Sequence, residues 1–252
     1  MSVADDLLDL PLGETAEAAP GVRVERRCLL ATIAAALAAG GLPGRARAAR
    51  IDAEKDRLGF DDFLKVAIPA VKGLEADASR FGQDRYLFLL ASIAMRLADA
   101  PVPEMRAQGD ARTFIGVNPG GDPFTVLHWR MEPGSKIGTH AHAYGNVVTV
   151  GLEGEARIEN YEVVGERDYD AKGTFRVRRT LEQVLRPGEI NVVNLERNYM
   201  HGFVAGSRGA RGLDLTTRIL PKRPTPVFVR GKEIDSADRV YEATWGAESG
   251  NA

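Results

Sequence analysis

The chain has only one cysteine, Cys28, and only four histidines among its 252 residues. A single cysteine cannot form an internal disulfide framework, and it excludes metal or redox sites of the CxxC type. Positive charge is not in excess, because 33 Lys and Arg stand against 35 Asp and Glu. This balance argues against binding nucleic acid through bulk electrostatics. Any metal site must therefore be built from histidines and carboxylates.

The first 48 residues contain the pattern of an export signal. An acidic, flexible lead-in at residues 1–20 is followed by Arg26-Arg27, an apolar run at 28–42 and the small-x-small pattern Ala46-Arg47-Ala48. The run is shorter than the roughly 20 residues that a membrane-spanning helix needs. The paired arginines resemble a twin-arginine signal. We expect a periplasmic mature protein with no membrane segment; the alternative is a cytoplasmic protein in which this segment forms an Ala-rich helix.

Helical periodicity dominates residues 49–103. Apolar residues recur at three- and four-residue spacing from Phe60 to Val71 and again from Tyr86 to Leu97. Residues 81–84 predict a break between two helices, and Pro69 predicts a kink or a split in the first. We therefore expect two or three helices in this section.

Short β segments separated by Gly, Pro, Asn and Asp fill residues 104–252. Many short strands at this spacing favour a β-sandwich or barrel over an α/β sheet. The tail beyond residue 235 carries Tyr241 and Trp245, which predicts that it packs onto the domain. The predicted strands are 112–117, 124–131, 147–152, 156–164, 175–185, 190–194, 201–204, 213–220 and 227–229.

Three of the four histidines have a spacing that suits a metal site. In a strand, the i and i+2 spacing of His140 and His142 places both imidazoles on one face. His201 begins a later strand, so the three rings can converge inside a small barrel. The spacing alone is also compatible with a surface pair or a solvated turn. His128, beside Trp129, is better explained as a core or surface histidine.

The residues around these histidines resemble the two cupin motifs. Gly134 through His140 and His142, followed by Leu152-Glu-Gly-Glu155, is similar to the first motif, and 185–189 followed by His201 is similar to the second. The resemblance implies an all-β cupin jelly-roll barrel preceded by two or three α-helices. It also implies that His140, His142 and His201 are metal ligands.

The glutamate ligand of most cupins is missing. Its positions, four or five residues after the second histidine, are occupied by Asn146 and Val147. Three neutral imidazoles leave a divalent ion with its full +2 charge. Such an ion favours an anionic ligand, such as a thiolate, carboxylate or hydroxide, in its open positions.

Within the cupins, the chain resembles the cysteine dioxygenase-like group. The carrying segments are 124–134, 139–145, 151–155 and Tyr161-Glu162. The resemblance implies Fe²⁺ on the three histidines and oxidation of a small, anionic thiol-type substrate by O₂, with Zn²⁺ or another divalent metal as the alternative ion. Tyr144, next to the metal pair, is expected to line the pocket.

Five positions depart from that group. Phe114 replaces a substrate-binding arginine, and Val147 replaces a crosslinking cysteine. Asp214, Thr216 and Arg218 replace a Ser-His-Tyr relay, and Arg218 is a candidate partner for an anionic substrate. These departures keep two alternatives open: a zinc-dependent hydrolase or lyase using the same three histidines, and a non-catalytic cupin that binds a metabolite or a metal. The chain is expected to be a monomer or a homodimer.

Overall fold

The computed structural model of the chain describes residues 57–76, 80–97, 100–108, 111–118, 124–221 and 225–246. The predicted export signal, residues 1–48, lies outside the described residues.

Among the described residues, two helices precede the β structure, α1 (Phe60–Ala76) and α2 (Arg80–Ala94). In α1, Phe63, Ala67 and Val71 recur every four residues and are buried, which gives the helix one apolar face. Pro69 lies inside α1 without ending it. Proline has no N–H to donate to the carbonyl group four residues earlier in the helix. Because this side of the helix is exposed, water can hydrogen-bond to that carbonyl. The predicted break at residues 81–84 is wrong, because these residues belong to α2.

Ten strands follow the helices in the described part of the chain. They are β1 (Arg106–Gln108), β2 (Thr113–Asn118), β3 (Phe124–Met131), β4 (Lys136–Ala141), β5 (Gly145–Val163), β6 (Thr174–Leu185), β7 (Ile190–Val193), β8 (Met200–Arg218), β9 (Phe228–Asp235) and β10 (Val240–Trp245). All the pairings between them are antiparallel. Their order in the sheet is β1-β2-β3-β8-β5-β6-β10-β9, with β4 paired to β8 and β7 paired to β5.

The strands β5 and β8 are the two longest strands described, and they pair with each other in antiparallel register over most of their length. Gly145 pairs with Arg218 at one end, and Tyr161 pairs with Met200 at the other. The pairing is irregular near Gly154, which has a φ of 62° and approaches Gly209 so closely that a Cβ at Gly154 would collide with the Gly209 carbonyl. Glycine therefore permits the bend that curls the sheet.

The sheet has a helix-covered face and an inner face. Residues of β3, β5 and β8 pack with the helices, among them Val126, Val148 and Leu215. Their neighbours along each strand point the opposite way. On that inner face, the Phe203 ring lies 5.5 Å from the Trp129 ring and 4.6 Å from the His201 ring, measured between centroids. The inner face therefore carries both the second apolar core and the histidines.

The predicted fold class is confirmed: a curled, antiparallel, mostly β structure follows two helices. Four of the predicted strand boundaries are wrong, because 147–152 and 156–164 are one strand, β5, and 201–204 and 213–220 are one strand, β8. The sequence prediction also lacked β1, β4 and β10. Neither of the two described helices has the length and hydropathy that crossing a membrane requires.

Candidate metal centre

Two paired strands bring the three histidines together. His140 on β4 is the register partner of His201 on β8. His142 lies just beyond the end of β4, where its backbone N–H donates to the Tyr199 carbonyl at 2.8 Å. This hydrogen bond holds the backbone after β4 beside the start of β8, so that the His142 side chain also lies against His201.

The imidazole rings converge on one point. One ligand nitrogen from each histidine lies within 4.8 Å of the other two, and the Nε2 atoms of His142 and His201 are 2.9 Å apart. Ring centroids are separated by 4.7 to 4.9 Å. An ion about 2.0–2.1 Å from each nitrogen can contact two nitrogens at this separation.

A backbone carbonyl orients the ring of His140. Its Nδ1 is 2.9 Å from the carbonyl oxygen of Gly138, and Nδ1–H is the donor in that bond. The proton on Nδ1 leaves the lone pair of Nε2 available to an ion. Metal-binding histidines in proteins are usually held in this way.

Burial keeps all three histidines neutral. His142 is 9% exposed and His201 is fully buried. Burial lowers the pKa of His140, although its hydrogen bond to Gly138 opposes the shift. Burial also lowers the pKa values of His142 and His201 well below their usual range, and repulsion from the neighbouring rings adds to the effect. Neutral imidazoles are the form that binds metals, so this donor set fits a divalent ion.

No carboxylate joins the cluster within the described part of the chain. Asn146 is fully buried, and its Oδ1 instead accepts a hydrogen bond from the Leu195 backbone N–H at 3.0 Å. Val147 is fully buried in an apolar cluster with Tyr161 and Val193. The site therefore consists of three nitrogens and adds no negative charge to an ion.

Tyr144 and Arg218 lie at one end of the β5–β8 pairing. The Tyr144 carbonyl accepts hydrogen bonds at 2.9 Å from the backbone N–H groups of Ile219 and Leu220, and Arg218 pairs with Gly145. Both side chains are half-buried. Their participation in a reaction stays a prediction.

The sequence analysis named Asp214 only because it departs from the Ser-His-Tyr relay. The structure shows that its carboxyl group is buried on the inner face of the sheet. Asp214 and Thr149 are register partners, and the Thr149 hydroxyl donates to the Asp214 carboxylate at 2.7 Å. Burial raises the pKa of Asp214 to about 6, although Thr149 and the neighbouring Trp129 indole N–H both favour the ionised form. Its place follows from strand register, which single-sequence patterns do not reveal.

Phe114 and His128 lie away from the inner face. Phe114 is the register partner of Arg130, whose guanidinium carbon lies 4.4 Å from the centre of the Phe114 ring. Ile115, the next residue on β2, packs with the inner cluster that contains Trp129, so Phe114 points the other way. His128 is 1% exposed, and its Nε2 is 3.1 Å from the Asn118 amide nitrogen, which confirms a core position.

Similarity to known proteins is limited to solved structures, since no protein-family model and no curated protein matches this chain. The match to KdgF from Halomonas sp. has 17% identity, covers 48% of this chain and 87% of that one, and has a TM-score of 0.33. A Schizosaccharomyces pombe Cnp3 cupin domain matches at 9% identity over 47% of this chain and 71% of that one, with a TM-score of 0.35. Pumpkin pro-11S globulin matches at 14% identity over 48% of this chain, with a TM-score of 0.36, and the match spans 30% of the globulin chain.

Proposed function

We propose that His140, His142 and His201 hold Fe²⁺ and that the protein oxidises a small thiol with O₂. The observation that carries the proposal is the cluster of three neutral imidazoles, with His201 fully buried and His140 half-buried, which no carboxylate of the described residues joins. The sequence resemblance to the cysteine dioxygenase-like group supports the choice of iron and thiol.

Charge selects the class of substrate. Three neutral ligands leave the ion with its full +2 charge in a site that excludes most water, so an anionic ligand atom gains most by binding there. A thiolate meets this requirement and is also a soft ligand suited to such an ion. Oxidation then converts R–SH and O₂ into R–SO₂H, a sulfinic acid, and the two oxygen atoms of O₂ account for the product without another reductant.

The side chains of the chain have distinct proposed roles in this reaction. Bound iron would supply the redox chemistry with O₂. His140, His142 and His201 hold the ion, and the neighbouring Phe203 limits access of water to it. We assign Arg218 the task of pairing with an anionic group of the substrate, and Tyr144 the task of lining the pocket and donating a hydrogen bond.

Metal reconstitution tests this function. Protein reconstituted with Fe²⁺ without oxygen should bind about one ion and then consume O₂ when small thiols are added. The variant His140→Ala should lose both properties, whereas His128→Gln, which alters a buried histidine outside the cluster, should keep both. Retention of activity by His140→Ala would overturn the proposal. Activity only with Zn²⁺, on esters or amides, would favour the hydrolase alternative, and ligand binding without turnover would favour the non-catalytic cupin.

We also propose that the mature protein is periplasmic, on the basis of the signal pattern in residues 1–48. Mass spectrometry of the protein isolated from the periplasmic fraction should then give an amino terminus at Ala49. An intact amino terminus in the cytoplasmic fraction would contradict export. Sedimentation of the same sample distinguishes a monomer from a homodimer.

A further inference from the structure

Two buried asparagines lie beside the candidate metal centre on the inner face. Asn160 of β5 is the register partner of His201, so both side chains project from the same face of the sheet. Asn191 of β7 donates from its amide nitrogen to the Asn160 carbonyl oxygen at 2.9 Å. Asn160 is fully buried and Asn191 is 2% exposed.

His201 needs an acceptor that its backbone surroundings do not provide. To offer Nε2 to an ion, the neutral ring must carry its proton on Nδ1. For His140 the Gly138 carbonyl accepts this proton, but the buried Nδ1 of His201 has no hydrogen-bond partner among the described residues. A buried N–H donor without an acceptor is costly, so a partner for this atom is expected.

Asn160 and Asn191 have amide oxygens that can accept a further hydrogen bond. The Oδ1 of Asn191 is buried and has no partner among the described residues. The Oδ1 of Asn160 accepts one hydrogen bond and has capacity for a second. One unpartnered donor and two available acceptors thus lie on the same inner face, with Asn160 directly beside His201 in the strand register.

We propose that Asn160 and Asn191 are positioning residues for His201. Their amide oxygens accept the Nδ1–H of His201 through one buried water, since neither oxygen makes a direct hydrogen bond to that nitrogen. This contact fixes the tautomer and the ring orientation that direct Nε2 toward the ion. The inference rests on the metal site proposed above and assigns a role to residues that the sequence motifs do not include.

Metal affinity and the stability of the metal-free protein together test the inference. Competition with a chelator should show that Asn191→Leu binds Fe²⁺ or Zn²⁺ about 10–100-fold more weakly than the unmodified protein. Asn191→Asp, which keeps an acceptor, should recover most of the affinity. Asn118→Leu is the matched control, because Asn118 is a buried asparagine whose amide donates to Pro101 and lies beside His128. The control should leave metal affinity unchanged even where it lowers the melting temperature.

Nitrogen-15 NMR of the unmodified, metal-free protein should show the His201 proton on Nδ1, and this test does not depend on the folding of variants. In Asn191→Leu the same signal should move. A proton on Nε2, or a metal affinity that Asn191→Leu leaves within about twofold, would overturn the inference. Failure of the unmodified protein to bind metal would instead remove the proposed function, so the two failures are distinguishable.

Discussion

Two carboxyl groups on opposite faces of the sheet show opposite electrostatics. Asp214 on the inner face accepts a hydrogen bond from the Thr149 hydroxyl, and burial raises its pKa to about 6. Glu159 projects from β5 on the face opposite to Asn160 and accepts from Tyr161 at 2.8 Å and from Arg179 at 2.9 Å. Burial opposes ionisation of Glu159 too, but the Tyr161 hydrogen bond and the arginine charges lower its pKa.

Glu159 belongs to a cluster whose charges balance within the chain, whereas the inner face carries the proposed metal site. Glu159 also lies within 3.3 Å of Arg230 and 3.1 Å of Arg157, so its charge is compensated entirely by the chain itself. On the inner face, three neutral histidines face one another, and the buried Nδ1 of His201 has no partner among the described residues. A buried polar atom without a partner calls for an explanation, and the proposed metal site supplies one on the inner face.

The largest expected effect concerns metal binding by the inner face. Ions added at about 100 times their Kd should stabilise the unmodified protein by about 2.7 kcal/mol. His201→Ala removes a ligand at the centre of the cluster and should abolish this stabilisation, whereas Glu159→Gln should retain it. Thermal unfolding with and without metal measures the difference. Equal metal-induced stabilisation in His201→Ala would contradict the assignment of the inner face as the binding site.

Removing the inner charge should stabilise the protein at high pH. The pKa of Asp214 is higher in the folded chain than its unfolded value, so its unfavourable ionisation costs stability as the pH rises through about 6. Asp214→Asn keeps an acceptor for Thr149 and should raise the free energy of unfolding at pH 8 by roughly 1–3 kcal/mol. Urea unfolding of the metal-free protein at pH 8 and at pH 4 checks this. A gain at pH 4 as large as that at pH 8 would refute the buried-charge explanation.

Removing the outer charge should have the opposite sign. The pKa of Glu159 is lower in the folded chain than in the unfolded chain, so its stabilising contribution is present above the ordinary carboxyl pKa and is lost as the pH falls through the lowered value. Glu159→Gln should lower the free energy of unfolding at pH 7 by roughly 1–2 kcal/mol. Denaturant unfolding should show a larger loss at pH 7 than at pH 3. A changed metal affinity in this variant would mean that the two faces are not independent.

The smallest effect is expected at an exposed ion pair. Arg197 and Asp84 join α2 to the loop before β8 at 2.9 Å, but their side chains are 45% and 34% exposed. Solvent screening should reduce the contribution of this pair to roughly 0–1 kcal/mol. Asp84→Asn should therefore change the melting temperature by only a few degrees. A loss as large as that of Glu159→Gln would show that burial does not explain the strength of the outer cluster.

Helices and strands with an uninterrupted hydrophobic periodicity could be predicted from the sequence. The strand 124–131 was predicted with the observed bounds, and the helical periodicity around Phe63 and Val71 marks the face of α1 that is buried. The resemblance to the two cupin motifs predicted the convergence of His140, His142 and His201, whereas strand alternation did not, because His142 lies beyond the end of β4.

Features that depend on distant residues were not predictable in this way. Gly154 and Gly209 signal turns in a single sequence, yet here they allow β5 and β8 to bend while remaining continuous. The pairing of β4 with β8 is irregular between Ile137 and His140, where Gly138 lies, so β4 lacks a clear alternation of side chains. The contact between Thr149 and Asp214 exists only because strands far apart in the chain pair in one register.

The most direct test of the account is metal content and O₂ consumption measured together on freshly isolated protein. If the three histidines hold iron for thiol oxidation, the protein should contain about one Fe²⁺ per chain and show thiol-dependent O₂ uptake. Both should be lost in His201→Ala and kept in Glu159→Gln. Protein that binds no divalent ion after anaerobic reconstitution, or that binds it equally well without His201, would contradict the account.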